Sequence, residues 1–170
     1  KLFFEVIRMA KQKFKFSIHL HTLMGNHYHL KLKLSGDGES ISKVMHWINF
    51  MVAVKYNQLT GHKGRLWRER FKSYVLNDLA YFLNTAAYII ENPRRAGISS
   101  VDNYPFGTGI YLYQLVHPFP EFEQYRGLFE EPYAGYYDQI KRIIAEREMD
   151  KKACAAIISM APRSCGRPKK

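Results

Sequence analysis

The sequence predicts an α+β fold in which helices cover one face of an antiparallel sheet. Three observations lead there: two adjacent segments that alternate apolar and polar residues, a turn signal between them, and long amphipathic stretches on either side. Of 170 residues, 46% are hydrophobic and 15% aromatic, enough to build a core and to exclude a wholly disordered chain.

The elements follow in order. Residues 2–13 read as a short basic helix. Over residues 14–22, Phe14, Phe16, Ile18 and Leu20 alternate with Lys15, Ser17, His19 and His21, the pattern of a half-buried strand. Gly25-Asn26 signals a turn. Beyond it Tyr28, Leu30, Leu32 and Leu34 point one way and His27, His29, Lys31 and Lys33 the other, so the two segments form a hairpin. Ser40 is placed to cap a helix whose apolar stripe (Ile41, Val44, Met45, Ile48, Met51, Val52, Tyr56) runs to about residue 59, before the glycines at 61 and 64. Residues 65–76 are aromatic, basic and strand-like. Asn77 or Asp78 opens a second long helix, with Leu79, Phe82, Leu83, Ala86 and Ile90 as its core stripe. It is expected to end at Asn92-Pro93, because the residue before proline resists helical backbone. After residue 104 the pattern weakens into an aromatic, proline-punctuated region with one more helix over 133–148. Residues 163–170 form a flexible basic tail.

Lys and Arg number 26 against 15 Asp and Glu, a formal charge of +11, which points to a polyanionic partner, nucleic acid first. The excess lies in the first hundred residues. No run approaches 18 uninterrupted apolar residues, so no membrane-spanning helix is expected. The two cysteines, Cys154 and Cys165, exclude a disulfide scaffold and a Cys-rich zinc module, and suit a reducing cytosol. The chain opens on lysine without the layout of a secretory signal, and the start of the natural protein is expected to be missing.

Three groups of residues could carry chemistry. His27 and His29, two apart on one strand, can share a divalent ion between neutral imidazoles, or can simply decorate a polar strand face. Lys31 and Lys33 beside them favour an anion on that face. On the second long helix Tyr88 lies opposite the core stripe, with Asn92 one turn further along the same side. Tyrosine there either covers an exposed face or acts as a nucleophile, with the Asn92 carboxamide as a third metal ligand. The stretch holding Arg65, Trp67, Arg68, Arg70, Phe71, Lys72 and Tyr74 mixes rings and cations, which suits single-stranded nucleic acid and equally a two-faced strand. Arg94 and Arg95 extend the positive surface. His19 and His21 read as a satisfied pair on a polar strand face. His46, His62 and His117 are isolated.

Three blocks then resemble a known family: Leu23-Met24-Gly25-Asn26-His27-Tyr28-His29-Leu30, Gly64-Arg65-Leu66-Trp67-Arg68-Glu69-Arg70-Phe71-Lys72, and Tyr88-Ile89-Ile90-Glu91-Asn92-Pro93-Arg94-Arg95-Ala96-Gly97. In content, order and spacing over residues 3–104 they resemble the signature blocks of single-tyrosine HUH transposases, the REP-associated tyrosine transposases most of all. The resemblance implies a ferredoxin-like antiparallel sheet lacking its first strand, and so an amino-terminally truncated domain over residues 1–112. Residues 113–162 would form an aromatic and helical extension. It also implies that His27, His29 and Asn92 hold Mg²⁺ or Mn²⁺ and that Tyr88 is the nucleophile. The activity implied is cleavage and rejoining of single-stranded DNA near hairpins through a 5′-phosphotyrosine, with Lys31, Lys33, Arg65, Arg68, Arg70, Lys72, Arg94 and Arg95 on the DNA. The setting would be a bacterial-type, nucleoid-associated cytoplasm, and the protein a monomer or homodimer with no membrane partner. The chain departs from the pattern at Gly25, where proline is common, and at Phe106-Gly107-Thr108 in place of a W-S-S stretch. Two other readings compete: a non-catalytic hairpin-binding protein derived from such a transposase, and a zinc hydrolase built on His27 and His29.

Overall fold

The computed structural model describes residues 1–35, 39–113, 119–130 and 134–160, with side chains in the last helix described to residue 151. Its amphipathic first segment forms α1 (Leu2–Lys13), which buries Phe3, Phe4, Val6, Ile7 and Ala10 and keeps Lys11 and Lys13 in its last turn, where cations complement the helix dipole. The alternating segments form β1 (Phe16–Leu23) and β2 (Tyr28–Leu34), paired antiparallel from Phe16↔Leu34 to Leu23↔Tyr28. α2 (Ile41–Thr60) opens on Ser40, whose hydroxyl accepts from the Lys43 amide, and closes at Gly61 in the left-handed region (φ 69°). α3 (Leu79–Arg95) opens on Asp78, whose carboxylate accepts from the Tyr81 amide at 2.7 Å. Short 3-10 turns at Val101–Asn103 and Thr108–Leu112, the single turn α4 (Pro120–Glu123) and the long α5 (Tyr137–Met160) complete the described chain. The α+β class is therefore as expected; the basic tail lies outside the described residues.

One irregularity in β1 decides how the layers are arranged. The register shifts between Ile18 and Leu20, so a β-bulge falls at His19. An extra residue in one strand reverses which side chains face which side. Before the bulge Phe16 and Ile18 face α1 and α2; after it His21 and Leu23 face that layer, while Leu20 and Thr22 face α3. The expectation that His19 and His21 share a polar face, and that Leu20 continues the Phe16–Ile18 face, is corrected accordingly. His21 is buried, stacked on Phe129 with centroids 3.9 Å apart and with Nδ1 2.8 Å from Thr108 Oγ1. With two oppositely directed apolar sets, the sheet carries α1 and α2 on one face and α3 on the other, and two cores form, so the expectation of helices on one face only is corrected as well. Phe122 and Tyr125 close the first core, and Ile140 and Ile144 of α5 close the second.

Three further expectations are corrected. Residues 65–76 form no strand. Their apolar members Leu66, Trp67 and Phe71 pack on the first core, and the Trp67 indole N–H donates to the Asn49 carbonyl on α2 at 2.9 Å, so the segment is anchored by side chains and not by a backbone ladder. The outer edge of β1 is met by other backbone and one side-chain hydroxyl: Leu23 N donates to Phe106 O, Glu130 N to Ile18 O, and His21 N to Thr108 Oγ1.

α3 does not stop at Asn92 but runs through Pro93 to Arg95. Proline removes the amide that would serve the carbonyl four residues back, Ile89. That carbonyl accepts instead from Thr22 Oγ1 at 2.8 Å, so the helix continues without an orphaned acceptor. The end comes at Gly97, in the left-handed region (φ 69°), with Ile98 N bonded to Pro93 O and Gly97 N to Arg94 O, the paired bonds of a Schellman cap. Leu79, expected in the core stripe, is half-exposed at the start of the helix, and Ala87 and Ile89 are buried in addition to Leu83, Ala86 and Ile90.

Candidate metal and nucleophile site

The hairpin turn positions the first histidine. Met24 N donates to His27 O at 2.8 Å to close the turn, and Asn26 Oδ1 lies 2.7 Å from His27 Nδ1. A carboxamide oxygen only accepts, so Nδ1 is the donor in this contact, and of the two neutral tautomers the bond selects the one that leaves Nε2 as the acceptor. His29 sits opposite Thr22 in the ladder, on the face turned to α3. The two imidazoles meet edge-on, with centroids 5.1 Å apart.

α3 brings the second half of the site. Tyr88 is 41% exposed, away from the core stripe as its helical position predicts, and its ring stands edge-on to His29 with centroids 5.6 Å apart. Asn92, one turn on, is buried, and its Nδ2 donates to the Tyr88 carbonyl at 2.9 Å. This bond orients the carboxamide and leaves Oδ1 as its acceptor end. Burial is the largest influence on His29 and lowers its pKa; the neighbouring His27 lowers it further, and Asn92 pulls weakly the other way. The ring is thus held neutral, and its Nε2 is buried without a hydrogen-bond partner.

These observations test whether a divalent cation fits. A metal ligand must be an unprotonated imidazole, and burial favours that form of His29. The orphaned Nε2 is the kind of buried acceptor that a cation satisfies. Among the described residues no group of three His, Cys, Asp or Glu side chains converges; the further polar side chain within reach of His29 is the Asn92 amide. Two nitrogens and an amide oxygen make a set of borderline and hard donors, suited to Mn²⁺ or to Mg²⁺ completed by phosphate oxygens.

The expected cations separate into two groups. Arg95 is exposed and lies over Tyr88, with Cζ 5.3 Å from the ring centroid. Lys33, Arg65, Arg68, Arg70 and Lys72 are exposed, the last 3.5 Å from Glu69. Lys31 and Arg94 are not on that surface. Lys31 is buried under α3, with Nζ over the Phe82 ring and 3.3 Å from the Phe82 carbonyl, and burial pulls its pKa down to about 7. Arg94 turns to α5, pairing with Glu91 and, at 2.7 Å, with Glu148. Sequence reasoning missed the groups that hold α3 in place. Thr22 gave no signal beyond its place in an alternating strand. Glu91, buried and shared by Arg94 and Arg147, is one of few acids in a basic region, and that rarity was the available clue.

The fold is similar to that of a solved REP-associated tyrosine transposase bound to a REP hairpin, with a TM-score of 0.57 and 21% identity over 76% of this chain and 70% of that one. A tyrosine-transposase fold is therefore the class of the architecture. A family model described as "Transposase IS200 like" matches residues 1–92, a stretch that ends on Asn92 and includes His27, His29 and Tyr88. The chain belongs to the IS200-like transposase family. Among curated proteins no match is found. No helix among the described residues is long and apolar enough to cross a membrane.

Proposed function

We propose that this protein cleaves and rejoins single-stranded DNA beside a hairpin, with Tyr88 as the nucleophile. The observation that carries the reading is the convergence of Tyr88, His29 and Asn92, with His27 beside His29. Tyr88 Oη attacks the scissile phosphorus, the P–O3′ bond breaks, and a 5′-phosphotyrosyl link and a free 3′-hydroxyl result. A 3′-hydroxyl then attacks that link and releases Tyr88, so the energy of the original bond is conserved. His27, His29 and Asn92 would hold Mg²⁺ or Mn²⁺, which supplies charge neutralisation at the phosphate. Arg95, over the Tyr88 ring, places a cation beside the nucleophile, where it can pair with the scissile phosphate. The exposed Lys33, Arg65, Arg68, Arg70 and Lys72 suit the backbone phosphates. The structural neighbour is bound to a REP hairpin, and that supports a hairpin as the form of nucleic acid taken here.

The test is a cleavage assay on hairpin-bearing single-stranded oligonucleotides with Mn²⁺ or Mg²⁺, run with the wild type and Tyr88→Phe. The expected result is a metal-dependent cut and a covalent protein–DNA adduct, both lost in Tyr88→Phe while hairpin binding persists. Tight binding without cleavage, unchanged by EDTA, would leave a hairpin-binding protein in place of an enzyme.

A further inference from the structure

A cleft of about 270 Å³ lies at the start of α3, lined by Leu76, Asn77, Asp78, Leu79, Phe82 and Tyr136. It lies below the usual range for drug-sized ligands, roughly 300–1,000 Å³, and suits a fragment the size of one heterocycle. Its walls are mixed. Phe82 and Tyr136 stand with ring centroids 5.9 Å apart at 57°, and Leu79 presents an apolar, half-exposed surface. Lys31 occupies one face of Phe82, so Tyr136, half-exposed, is the platform on which a flat ring can stack. Asn77 and Asp78 contribute the polar groups. Asp78 spends one oxygen on the Tyr81 amide, which leaves the other to accept.

The cleft is joined to the Tyr88 site by β2. His29 lies against Tyr88, and Lys31, two residues along the same face, lies against Phe82. From Phe82 to Tyr88 is six residues of helix, about 9 Å at 1.5 Å per residue. That is roughly two to three nucleotides of stacked strand at 3.4 Å each. Lys33 continues the same face as an exposed cation. A carboxylate in the cleft repels a phosphate but accepts from the N–H groups of a base. The chemistry therefore divides a nucleotide between the two features, base inside and phosphate on Lys33.

We propose that this cleft holds one unpaired nucleobase of the strand leading to Tyr88, stacked on Tyr136 and hydrogen-bonded by Asp78 and Asn77, with bases that carry an exocyclic amino group preferred over thymine. The proposal rests on the single-stranded DNA reading above and gives it a site of sequence preference.

The experiment is a binding titration with a hairpin oligonucleotide bearing a single-stranded flank, in which each flanking nucleotide in turn is made abasic. It is run on the wild type, Tyr136→Leu and Asp78→Ser, the last of which keeps a helix-capping oxygen and removes the charge. The expected result is one position where the abasic nucleotide weakens wild-type binding about tenfold, the scale of a lost base–aromatic stack. At that position Tyr136→Leu shows no further loss, and Asp78→Ser loses the preference over thymine. If the wild type binds the hairpin but every abasic position weakens wild type and Tyr136→Leu alike, the cleft is not a base site and the DNA reading stands. If the wild type binds no flanked hairpin at all, the DNA reading falls and takes this proposal with it.

Discussion

Asn92 donates its amide proton to the carbonyl of Tyr88 at 2.9 Å, which ties the third candidate metal donor to the backbone of the candidate nucleophile. One turn of α3 therefore sets both groups, and β2 sets the imidazole between them. The second histidine depends on a different contact, the Asn26 carboxamide on His27 Nδ1.

Metal affinity should follow those contacts. Asn26→Ala removes the partner that fixes the His27 tautomer, and Mn²⁺ binding is expected to weaken about 10- to 100-fold, the usual cost of losing such an outer partner. His29→Ala should abolish measurable binding. Calorimetric titration with Mn²⁺ checks both, and equal affinity in wild type and His29→Ala would remove the metal from this site.

Thr22→Val should destabilise the fold by about 1–3 kcal/mol, because the Ile89 carbonyl, already deprived of an amide by Pro93, would be left buried and unpaired. Thr22→Ser retains the hydroxyl and should lose much less. Urea unfolding followed by circular dichroism distinguishes the two; equal midpoints would mean that the carbonyl finds another donor.

Glu91→Ala should cost about 1–3 kcal/mol, since it removes the buried carboxylate shared by Arg94 and Arg147 at the α3–α5 contact, while Arg94 keeps Glu148 and Arg147 keeps Asn84. Arg147 also reaches Asn84 Oδ1 at 2.7 Å, so Arg147→Met should be milder yet still loosen α5. Hydrogen exchange on α5 reads this directly, and unchanged protection in both variants would show that the ion cluster does not hold the helix.

Stability should fall as the solution is acidified through the ordinary histidine range. Burial, the first cause for both His19 and His29, lowers their pKa in the folded state below the unfolded value of about 6.5. The unfolded chain then binds protons first, so the contribution is intact above about pH 6.5 and is lost below it, until the folded-state pKa is reached. His19→Gln should flatten part of that loss. A thermal midpoint that is constant between pH 7 and 5 would contradict this.

The elements whose limits depend on nearby residues were legible in the sequence. Ser40 and Asp78 cap α2 and α3, Gly61 ends α2, and alternation with a Gly-Asn turn marks the hairpin, because capping and pleating are settled within a few residues. The pairing of His27 with His29 and of Tyr88 with Asn92 followed from strand and helix periods alone. Their convergence into one site was given by family resemblance and not by periodicity.

What only the tertiary structure decided is everything that one element imposes on another. The bulge at His19 reverses the faces of β1 and puts His21 into the core. Thr22 lets α3 pass through Pro93, which local rules forbid. Lys31 is drawn under Phe82 and Arg94 into the α5 ion cluster, so two cations that looked available to DNA by strand and helix phase face protein instead. The segment 65–76 has the composition of a strand, yet Trp67 and Phe71 are taken up by α2 and the first core while Tyr74 stays exposed. A local pattern states which side chains share a face; only packing states what that face meets, because burial and unpaired backbone groups are satisfied by residues distant in the chain.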